Sequence, residues 1–238
     1  MKHPAELWVY LSTSPLLWLT LTLLVWIFAV SVSVRLKRHP LANPVLVSIV
    51  LLACALRLFD VPYQKFFEGA QFIHFLLGPA TVAIAVPLFR QWRQVRKALV
   101  PMVAALAVGS LSAALSIMLM GSWAGLPRDV LISFLPKSAT AGVAMAISSS
   151  LGGNPSLTAV LVVMTGITGA LVVTPLMNAM RIKDYAARGF AAGLTSHGIG
   201  TARAFDVDRT AGLFAGIAMA LNAIATSLIV PLLVKIFQ

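Results

Sequence analysis

The sequence predicts an all-α polytopic membrane protein with about eight membrane segments, some broken or re-entrant, in a single transmembrane domain over 1–238. Of the 238 residues, 59% are hydrophobic and only 11% are charged, and the mean hydropathy is +0.93. A soluble domain carries roughly 25% charged residues, so most of this surface is expected to face lipid. The apolar residues also form continuous runs, unlike the alternating strands of a membrane β-barrel.

The distribution of charge indicates how the segments are oriented. Eighteen Lys and Arg stand against seven Asp and Glu, a formal charge of +11. The basic residues are dispersed, which argues against nucleic acid as a partner. Ten of them fall in three short stretches at 35–38, 90–97 and 181–188. Such stretches are typical of the cytoplasmic loops of membrane proteins.

Uncharged runs mark the membrane segments, because about 20 apolar residues are needed to cross a bilayer core. The first run is longer than the apolar region of a cleaved signal and is predicted to be a retained helix. A later run, 138–180, is too long for one helix, and Gly152-Gly153-Asn154-Pro155 divides it where a turn and a new helix start are expected. The eight segments are then 7–34, 41–56, 69–89, 98–127, 128–150, a sixth that starts at 154, 189–202 and 210–234.

Two similar helix starts indicate an internal repeat. Asn43-Pro44 opens segment two and Asn154-Pro155 opens segment six, and each precedes a Gly-interrupted segment and a full-length helix. If segment five dips into the membrane and returns, the implied repeats, about 41–121 and 152–236, are inverted, as in many secondary transporters. The re-entrant form is favoured because it places all three basic stretches on one side. A full crossing is its alternative, and chance similarity is the alternative to the repeat.

Three segments contain sequences that break a helix in mid-run. Lipid tolerates such breaks only where protein or a water-filled cavity satisfies the freed backbone groups, so they point to function. Each would start a half-helix whose free N–H groups and positive end could receive an anion. A proline kink or a glycine packing contact is the structural alternative. The break residues are Gly78, Pro79 and Thr81 in segment three, Pro136 in segment five, and Gly200 in segment seven.

Lys137 and Arg203 are predicted to supply the positive charge of a binding site. A cation at mid-membrane costs about 3 kcal/mol on insertion scales and is usually retained for a partner or a substrate. A transported carboxylate is a suitable partner, and snorkelling to the headgroups is the structural alternative. Histidine titrates near neutral pH, so His197 could carry a coupled proton; a helix-to-helix hydrogen bond is its alternative role. The predicted substrate-binding residues are Lys137, Ser138, Thr140, Ser196, His197, Gly198, Thr201 and Arg203.

Enzyme chemistry is not expected from this sequence. It has no Gly-rich phosphate loop, no pair of intramembrane carboxylates, and no HExxH or GxSxG motif. Four scattered histidines and the single cysteine, Cys54, supply no metal-ligand spacing. No metal site or cofactor is predicted apart from a coupling ion, H⁺ or Na⁺.

Three stretches resemble the LrgB/CidB family: Pro136-Lys137-Ser138, the run from Leu151 to Val160, and Ser196-His197-Gly198-Ile199-Gly200-Thr201-Ala202-Arg203. The resemblance is strong from about residue 130 to the end. It implies a multi-pass protein of the bacterial inner membrane, often paired with a small LrgA/CidA-type membrane partner and described as antiholin-like. Many members carry an acidic residue before the Gly-Gly pair, where this chain has Ser148-Ser149-Ser150.

The resemblance also implies a substrate class, because a plant relative is a plastidial glycolate/glycerate transporter. Small monocarboxylates such as glycolate, glycerate, pyruvate and lactate are the implied substrates. The predicted function is an ion-coupled secondary transporter of these acids that works by alternating access. The alternative is a holin-like or antiholin-like protein that modulates murein hydrolase activity and cell lysis with the small partner. A homo-oligomer is expected because closed symmetric pairs are common.

Overall fold

The structure is a computed structural model that describes residues 14–39, 42–76, 79, 89 and 92–237. The elements among them are helices, so the predicted all-α class is confirmed for this part of the chain. In chain order the helices are α1 (Pro15–Arg35), α2 (Pro44–Leu58), α3 (Tyr63–Phe75), α4 (Trp92–Lys97), α5 (Leu99–Trp123), α6 (Arg128–Phe134), α7 (Ala141–Ser150), α8 (Pro155–Ala179), α9 (Tyr185–Val207) and α10 (Arg209–Ile236).

Four of these helices, α1, α5, α8 and α10, are long and apolar enough to cross a membrane. They correspond to predicted segments one, four, six and eight, and they identify a multi-pass membrane protein. The described parts of the other predicted segments contain shorter or interrupted helices, so eight spanning helices are not observed there. Segment three lies largely in 77–91, where the structure describes only Pro79 and Phe89; Gly78 and Thr81 therefore lie outside the described residues.

The chain divides into two compact units, 1–85 and 86–238. In the first unit α1 packs against both α2 and α3. Trp18 of α1 is fully buried and meets Phe66 of α3 edge-on, with ring centroids 6.2 Å apart. An edge-to-face aromatic pair of this kind adds to the apolar burial that joins the two helices.

Both helix starts with an Asn-Pro pair are capped by the asparagine. Asn43 Oδ1 accepts the backbone N–H of Val45 at 2.9 Å, and Asn154 Oδ1 accepts that of Ser156 at 3.0 Å. In each helix the proline is the first residue. The first residue of a helix donates no helical hydrogen bond, so proline's missing N–H is not a loss there. The asparagine side chain accepts one of the free N–H groups of the first turn.

The second unit is organised around α10. This helix packs against α5, α7 and α9 and is the most buried of the four long helices. Two apolar clusters lie along it. One includes Phe190, Leu213 and Phe214 near its start, and the other includes Ile132 and Val230 toward its end. The short elements of the second unit are thus packed along both halves of α10.

Residues 128–150 form a hairpin, which we name hairpin A. Its helices α6 and α7 have only 7 and 10 residues, and the tip between them, 135–140, is not helical. Thr158 Oγ1 in α8 lies 2.8 Å from Ser148 Oγ and 3.1 Å from the carbonyl oxygen of Ser133. A continuous helix would separate residues 133 and 148 by roughly 22 Å. The chain therefore reverses direction at the tip.

Residues 185–207 form a second hairpin, hairpin B, because α9 reverses direction at Ser196 and His197. His197 has φ 41° and ψ −132°, which is not a helical conformation. A Cβ added to Gly200 would lie 2.6 Å from the carbonyl oxygen of Ala192. A continuous helix would hold these two residues roughly 12 Å apart. The arm before the break and the arm after it therefore lie side by side.

The first arm of hairpin B runs parallel to α10 and in close contact with it. Gly189 packs on the backbone of Ala211, and Gly193 packs on that of Ala215. A Cβ on either glycine would overlap the α10 backbone, so only glycine permits this approach. The second arm leads through Asp208 into α10 and runs back beside it.

The two hairpins enter the second unit from opposite ends. The base of hairpin A lies at the last turns of α5 and α10, where Leu131 packs against Gly121 and shares a cavity with Phe237. The base of hairpin B lies at the last turn of α8 and the first turn of α10. There Arg188 Nη2 donates to Asn178 Oδ1 at 2.8 Å. We name these the A end and the B end; α8 runs from A to B, and α10 runs from B to A.

Candidate functional site

The tips of the two hairpins meet at Asn222, halfway along α10. Its Nδ2 donates to the carbonyl oxygen of Ser138 in hairpin A and to that of Leu194 in hairpin B, both at 3.0 Å. Its Oδ1 accepts the hydroxyl of Ser110 in α5 at 2.7 Å. The side chain is only 1% exposed, and both of its N–H bonds are in use. Asn222 therefore ties both tips to α5 and α10.

A small cavity lies beside Asn222, between the two tips and α5. Its volume is about 20 Å³, which is room for about one water molecule. Each of the surrounding elements contributes a polar residue to its wall: Ser110 from α5, Ser138 from hairpin A, Thr195 from hairpin B, and Asn222 and Thr226 from α10. The meeting point of the tips is thus polar within a largely apolar unit.

The helix α7 begins at the tip of hairpin A without a side-chain cap. Thr140 is the N-cap residue, but its side chain accepts no amide of the first turn. The first N–H groups of a helix have no partner within it, and Ala141 and Gly142, which carry two of them, are exposed. A Cβ added to Gly142 would meet no atom within 4 Å. This positively polarised helix end therefore has open space beside it.

Lys137 follows the buried Pro136 in the tip of hairpin A. Its side chain is half-buried, and among the described residues none forms a hydrogen bond or an ion pair with its ammonium group. The carboxylates of hairpin A and of the start of α10 do not lie at this tip. Asp129 is in the first turn of α6, and Asp208 caps α10. The tip therefore carries a positive charge for which an anionic ligand would be a suitable partner.

Ser196 and His197, at the tip of hairpin B, pack against two glycines of α8. His197 Nε2 lies 2.9 Å from the carbonyl oxygen of Val162 and donates to it, because a carbonyl oxygen can only accept. A Cβ added to Gly166 would lie 2.6 Å from His197 Cε1, and one added to Gly169 would overlap the Ser196 hydroxyl. Both tip residues are buried. The tip of hairpin B is thus fastened to the middle of α8.

Other predicted residues of hairpin B hold the reversal together. Thr201 donates its hydroxyl to the carbonyl oxygen of His197 at 2.8 Å, and Gly200 allows the second arm to approach Ala192. Gly198, by contrast, is exposed and is the first residue of the second arm after the break. Its N–H belongs to the first turn of that arm, where N–H groups have no helical partner.

Arg203 lies away from the tips, toward the B end. It lines a second cavity of about 20 Å³ together with Thr174, Tyr185 and Arg188. The guanidinium of Arg188 sits over the Tyr185 ring, 5.8 Å from its centroid. The structure therefore groups Arg203 with Arg188 and does not bring it together with Lys137.

Sequence reasoning missed Asn222 and the glycines of α8. Asn222 is the one carboxamide in the uncharged run 210–234, and a lone amide within an apolar span needs a buried partner. Gly166 and Gly169 belong to the small-residue patterns that let membrane helices approach closely. These two signals point to the surfaces on which the tips rest.

The site offers groups for non-covalent binding of a small polar solute. Hydroxyls and a buried amide line the cavity, while the cation and the exposed start of a half-helix belong to the tip of hairpin A, outside the cavity wall. Within the described part of the chain, no three His, Cys, Asp or Glu side chains are grouped so as to hold a metal ion. An anion is the ligand that this charge distribution suits.

Comparisons with known proteins show the family that this chain matches. A sequence model of the LrgB-like family matches residues 22–236. The chain is 36% identical over 204 residues to the uncharacterized protein YxaC of Bacillus subtilis, covering 85% of this chain and 89% of YxaC. It is 28% identical over 222 residues to the holin-like protein CidB of Staphylococcus aureus, covering 93% and 96%. No solved structure matches.

Proposed function

The chain belongs to the LrgB-like family, and from that premise we propose that it is an ion-coupled secondary transporter of small monocarboxylates. The observation that carries the proposal is the meeting of two oppositely directed hairpin tips at Asn222. Interrupted helices that meet near the middle of a membrane protein are the usual setting of a transporter's binding site. Glycolate, glycerate, pyruvate and lactate are the substrates to test, with H⁺ or Na⁺ as the coupling ion.

The charges near the tips support an anionic solute. Lys137 would pair with the carboxylate, and Ser138 with the N–H groups at the start of α7 would hydrogen-bond it. Thr140, Ser196 and the N–H of Gly198 would complete the site on entry of the solute. The cavity of about 20 Å³ is too small for a carboxylic acid, so binding requires a hairpin to move.

We infer the orientation of the second unit from its basic residues. Cytoplasmic loops carry an excess of Lys and Arg, and eight such residues lie toward the B end against two toward the A end in the described part of this unit. The B end would then face the cytoplasm of a bacterial inner membrane, and hairpin B would enter from that side. Those toward the B end are Arg93, Arg96, Lys97, Arg181, Lys183, Arg188, Arg203 and Arg209, and those toward the A end are Arg128 and Lys235.

A holin-like or antiholin-like role is the second candidate function. The name of the staphylococcal relatives, holin-like protein CidB, favours it. In that case the chain would act on murein hydrolase activity and lysis, together with a small LrgA/CidA-type membrane partner, without accumulating a solute. Co-purification with such a partner, and the mass of the purified assembly in detergent, would test this association and the expected homo-oligomer.

Uptake into liposomes separates the two functions. Purified chain is reconstituted, and entry of radiolabelled glycolate, glycerate, pyruvate and lactate is followed with and without imposed pH and Na⁺ gradients. Saturable uptake that one gradient accelerates supports the transporter and identifies the solute and the ion. Release of a trapped dye without accumulation of any acid, by a folded chain, would favour the holin-like function instead.

A further inference from the structure

We propose that hairpins A and B are the two gates of an internal inverted repeat, and that Asn222 is the positioning residue that holds both gates closed together. The inference rests on the proposed transport function, since it concerns access to that same site. It adds which parts move and which side of the membrane each one opens.

Two successive hairpin–helix stretches make up most of the second unit. Hairpin A with α8 covers 128–179, and hairpin B with α10 covers 185–236, so the stretches have the same length. Hairpin A is based at the A end and hairpin B at the B end, while α8 and α10 run in opposite directions. The two stretches therefore have opposite orientations. The bounds of this repeat differ from those of the pair 41–121 and 152–236, which the two Asn-Pro helix starts indicate.

A short sequence pattern recurs at the two tips. Ser, Gly and two Ala occur at the same spacing in both hairpins, and each pattern begins at the break and continues into the returning arm. The two stretches are Ser138-Ala139-Thr140-Ala141-Gly142-Val143-Ala144-Met145-Ala146 and Ser196-His197-Gly198-Ile199-Gly200-Thr201-Ala202-Arg203-Ala204. The tips are thus equivalent in sequence as well as in position.

Equivalent glycines of the two tips nevertheless differ in their surroundings. In hairpin B a Cβ on Gly200 would lie 2.6 Å from the carbonyl oxygen of Ala192, so the two arms are tightly packed. Gly142 holds the equivalent place in hairpin A, and a Cβ there would meet no atom within 4 Å. Equivalent positions of the two tips therefore differ in local packing, which suits two related gates that open one at a time.

Asn222 is placed to let the gates open separately. One carboxamide N–H pair serves both hairpins, through the carbonyl oxygens of Ser138 and Leu194. Either tip can leave by breaking one hydrogen bond while the other bond is kept. Ser110 bonds Oδ1 from α5, so the amide is held in place when a tip departs.

Side-specific cysteine labelling tests the two gates. A Cys54→Ser background removes the chain's one cysteine. Ala141→Cys and Gly198→Cys then place single thiols at exposed positions of the two tips. With an impermeant maleimide applied to sealed vesicles of known orientation, we expect labelling at 141 from the A end alone and at 198 from the B end alone. Labelling of both tips from one end would overturn the proposal.

Two engineered cross-links would close the gates one at a time. Ser148→Cys with Thr158→Cys would tie hairpin A to α8 by a disulfide, since the hydroxyl oxygens lie 2.8 Å apart. Thr201→Cys with Met219→Cys would tie hairpin B to α10 when the two thiols are bridged by a short reducible bifunctional reagent, since Thr201 Oγ1 and Met219 Sδ lie 4.0 Å apart. Each cross-link should abolish labelling of its own tip, spare the other tip, and stop uptake until a reductant is added. Loss of labelling at both tips with either cross-link would show one moving body and overturn the proposal.

The role of Asn222 has its own test. Asn222→Leu removes both tip bonds and should raise labelling at both tips, whereas Ser110→Ala removes only the anchor and should raise it less. Asn222→Ser is the second variant if Asn222→Leu yields no folded protein, because a serine hydroxyl cannot donate to both carbonyls. Unchanged labelling in a folded Asn222 variant would overturn its positioning role. Side-specific labelling without uptake of any acid would count against the proposed solute and not against the gates.

Discussion

The Nε2 atom of His197 lies 2.9 Å from the carbonyl oxygen of Val162, and this contact fastens the reversal of hairpin B to the middle of α8. The backbone at His197, with φ 41° and ψ −132°, is one that glycine adopts far more readily than a residue with a Cβ. A histidine at this position must therefore contribute more than backbone shape. Its ring supplies the hydrogen bond and packs beside Gly166.

Alanine and glycine at position 197 separate the backbone strain from the role of the ring. His197→Ala loses the ring and keeps the Cβ, whereas His197→Gly loses both. We expect both variants to unfold at a lower temperature than the unchanged chain, as measured in detergent by tryptophan fluorescence. His197→Gly should be the more stable of the two by about 1 kcal/mol, because a Cβ is strained at positive φ. In a regular helix alanine is more stabilising than glycine. A higher unfolding temperature for His197→Ala than for His197→Gly would therefore contradict the reversal.

Gly166 and Gly142 form a matched pair for testing the contact between hairpin B and α8. A methyl group at 166 would lie 2.6 Å from His197 Cε1, whereas one at 142 would meet no atom within 4 Å. Gly166→Ala should therefore destabilise the fold by about 1–3 kcal/mol. Gly142→Ala should be neutral or stabilising by up to about 1 kcal/mol, since alanine is the better helix former. Equal unfolding temperatures would show that the His197 ring does not rest on α8.

Local sequence signals account for the parts of the fold that depend on neighbouring residues. Long uncharged runs predict the four spanning helices, and an asparagine followed by proline marks the starts of α2 and α8 because the cap is made within one turn. The reversals depend on contacts between distant residues. The approach of Gly200 to Ala192, or of Thr158 to Ser133, has no local signal. Breaks can therefore be located from the local sequence, but the direction of the chain after a break has no local signal. For segment five the return is expected only from the distribution of basic residues along the whole chain.

The same reason explains where Arg203 lies. If α9 were a straight helix, Arg203 would lie beyond His197, farther along the direction of the first arm. Because the chain reverses at His197, the residues after it return to the end from which hairpin B entered. Arg203 therefore reaches the cavity that Arg188 lines. Ser138 and Ser196, in contrast, lie at the breaks themselves. Their location at the tips follows from the position of each break and does not depend on the direction that the chain takes after it.

The buried hydroxyl of Thr158 is expected to hold hairpin A against α8. It lies 2.8 Å from Ser148 Oγ and 3.1 Å from the carbonyl oxygen of Ser133. Thr158→Val keeps the shape and leaves the buried Ser148 hydroxyl without this partner, which should cost about 1–3 kcal/mol. Ser116→Ala is the control, because that exposed hydroxyl bonds only within its own helix and its loss should change stability by less than about 0.5 kcal/mol. If Thr158→Val and Ser116→Ala change the thermal unfolding temperature by similarly small amounts, Thr158 does not hold hairpin A against α8.

Transport measurements should distinguish Lys137 from Arg203, because only Lys137 lies at a tip. Lys137→Gln removes the charge that would meet the carboxylate, and we expect initial uptake to fall at least about tenfold, which corresponds to about 1.4 kcal/mol lost from binding or from the transport step. Lys137→Arg keeps the charge and should retain more uptake than Lys137→Gln. Arg203→Gln removes a charge at the B end and should have the smaller effect.

Measuring uptake rate against substrate concentration shows which step the Lys137 variants affect. Loss of a group that binds the carboxylate in the resting complex raises KM, and the maximal rate falls only if the same contact is needed while the hairpins move. The amount of folded chain in each liposome preparation must be equal for this comparison. Full uptake by Lys137→Gln would place the carboxylate away from the tip of hairpin A, since a charge that contacts the solute cannot be removed without effect. An equal loss in Arg203→Gln would contradict the expectation that only the cation at a tip serves binding.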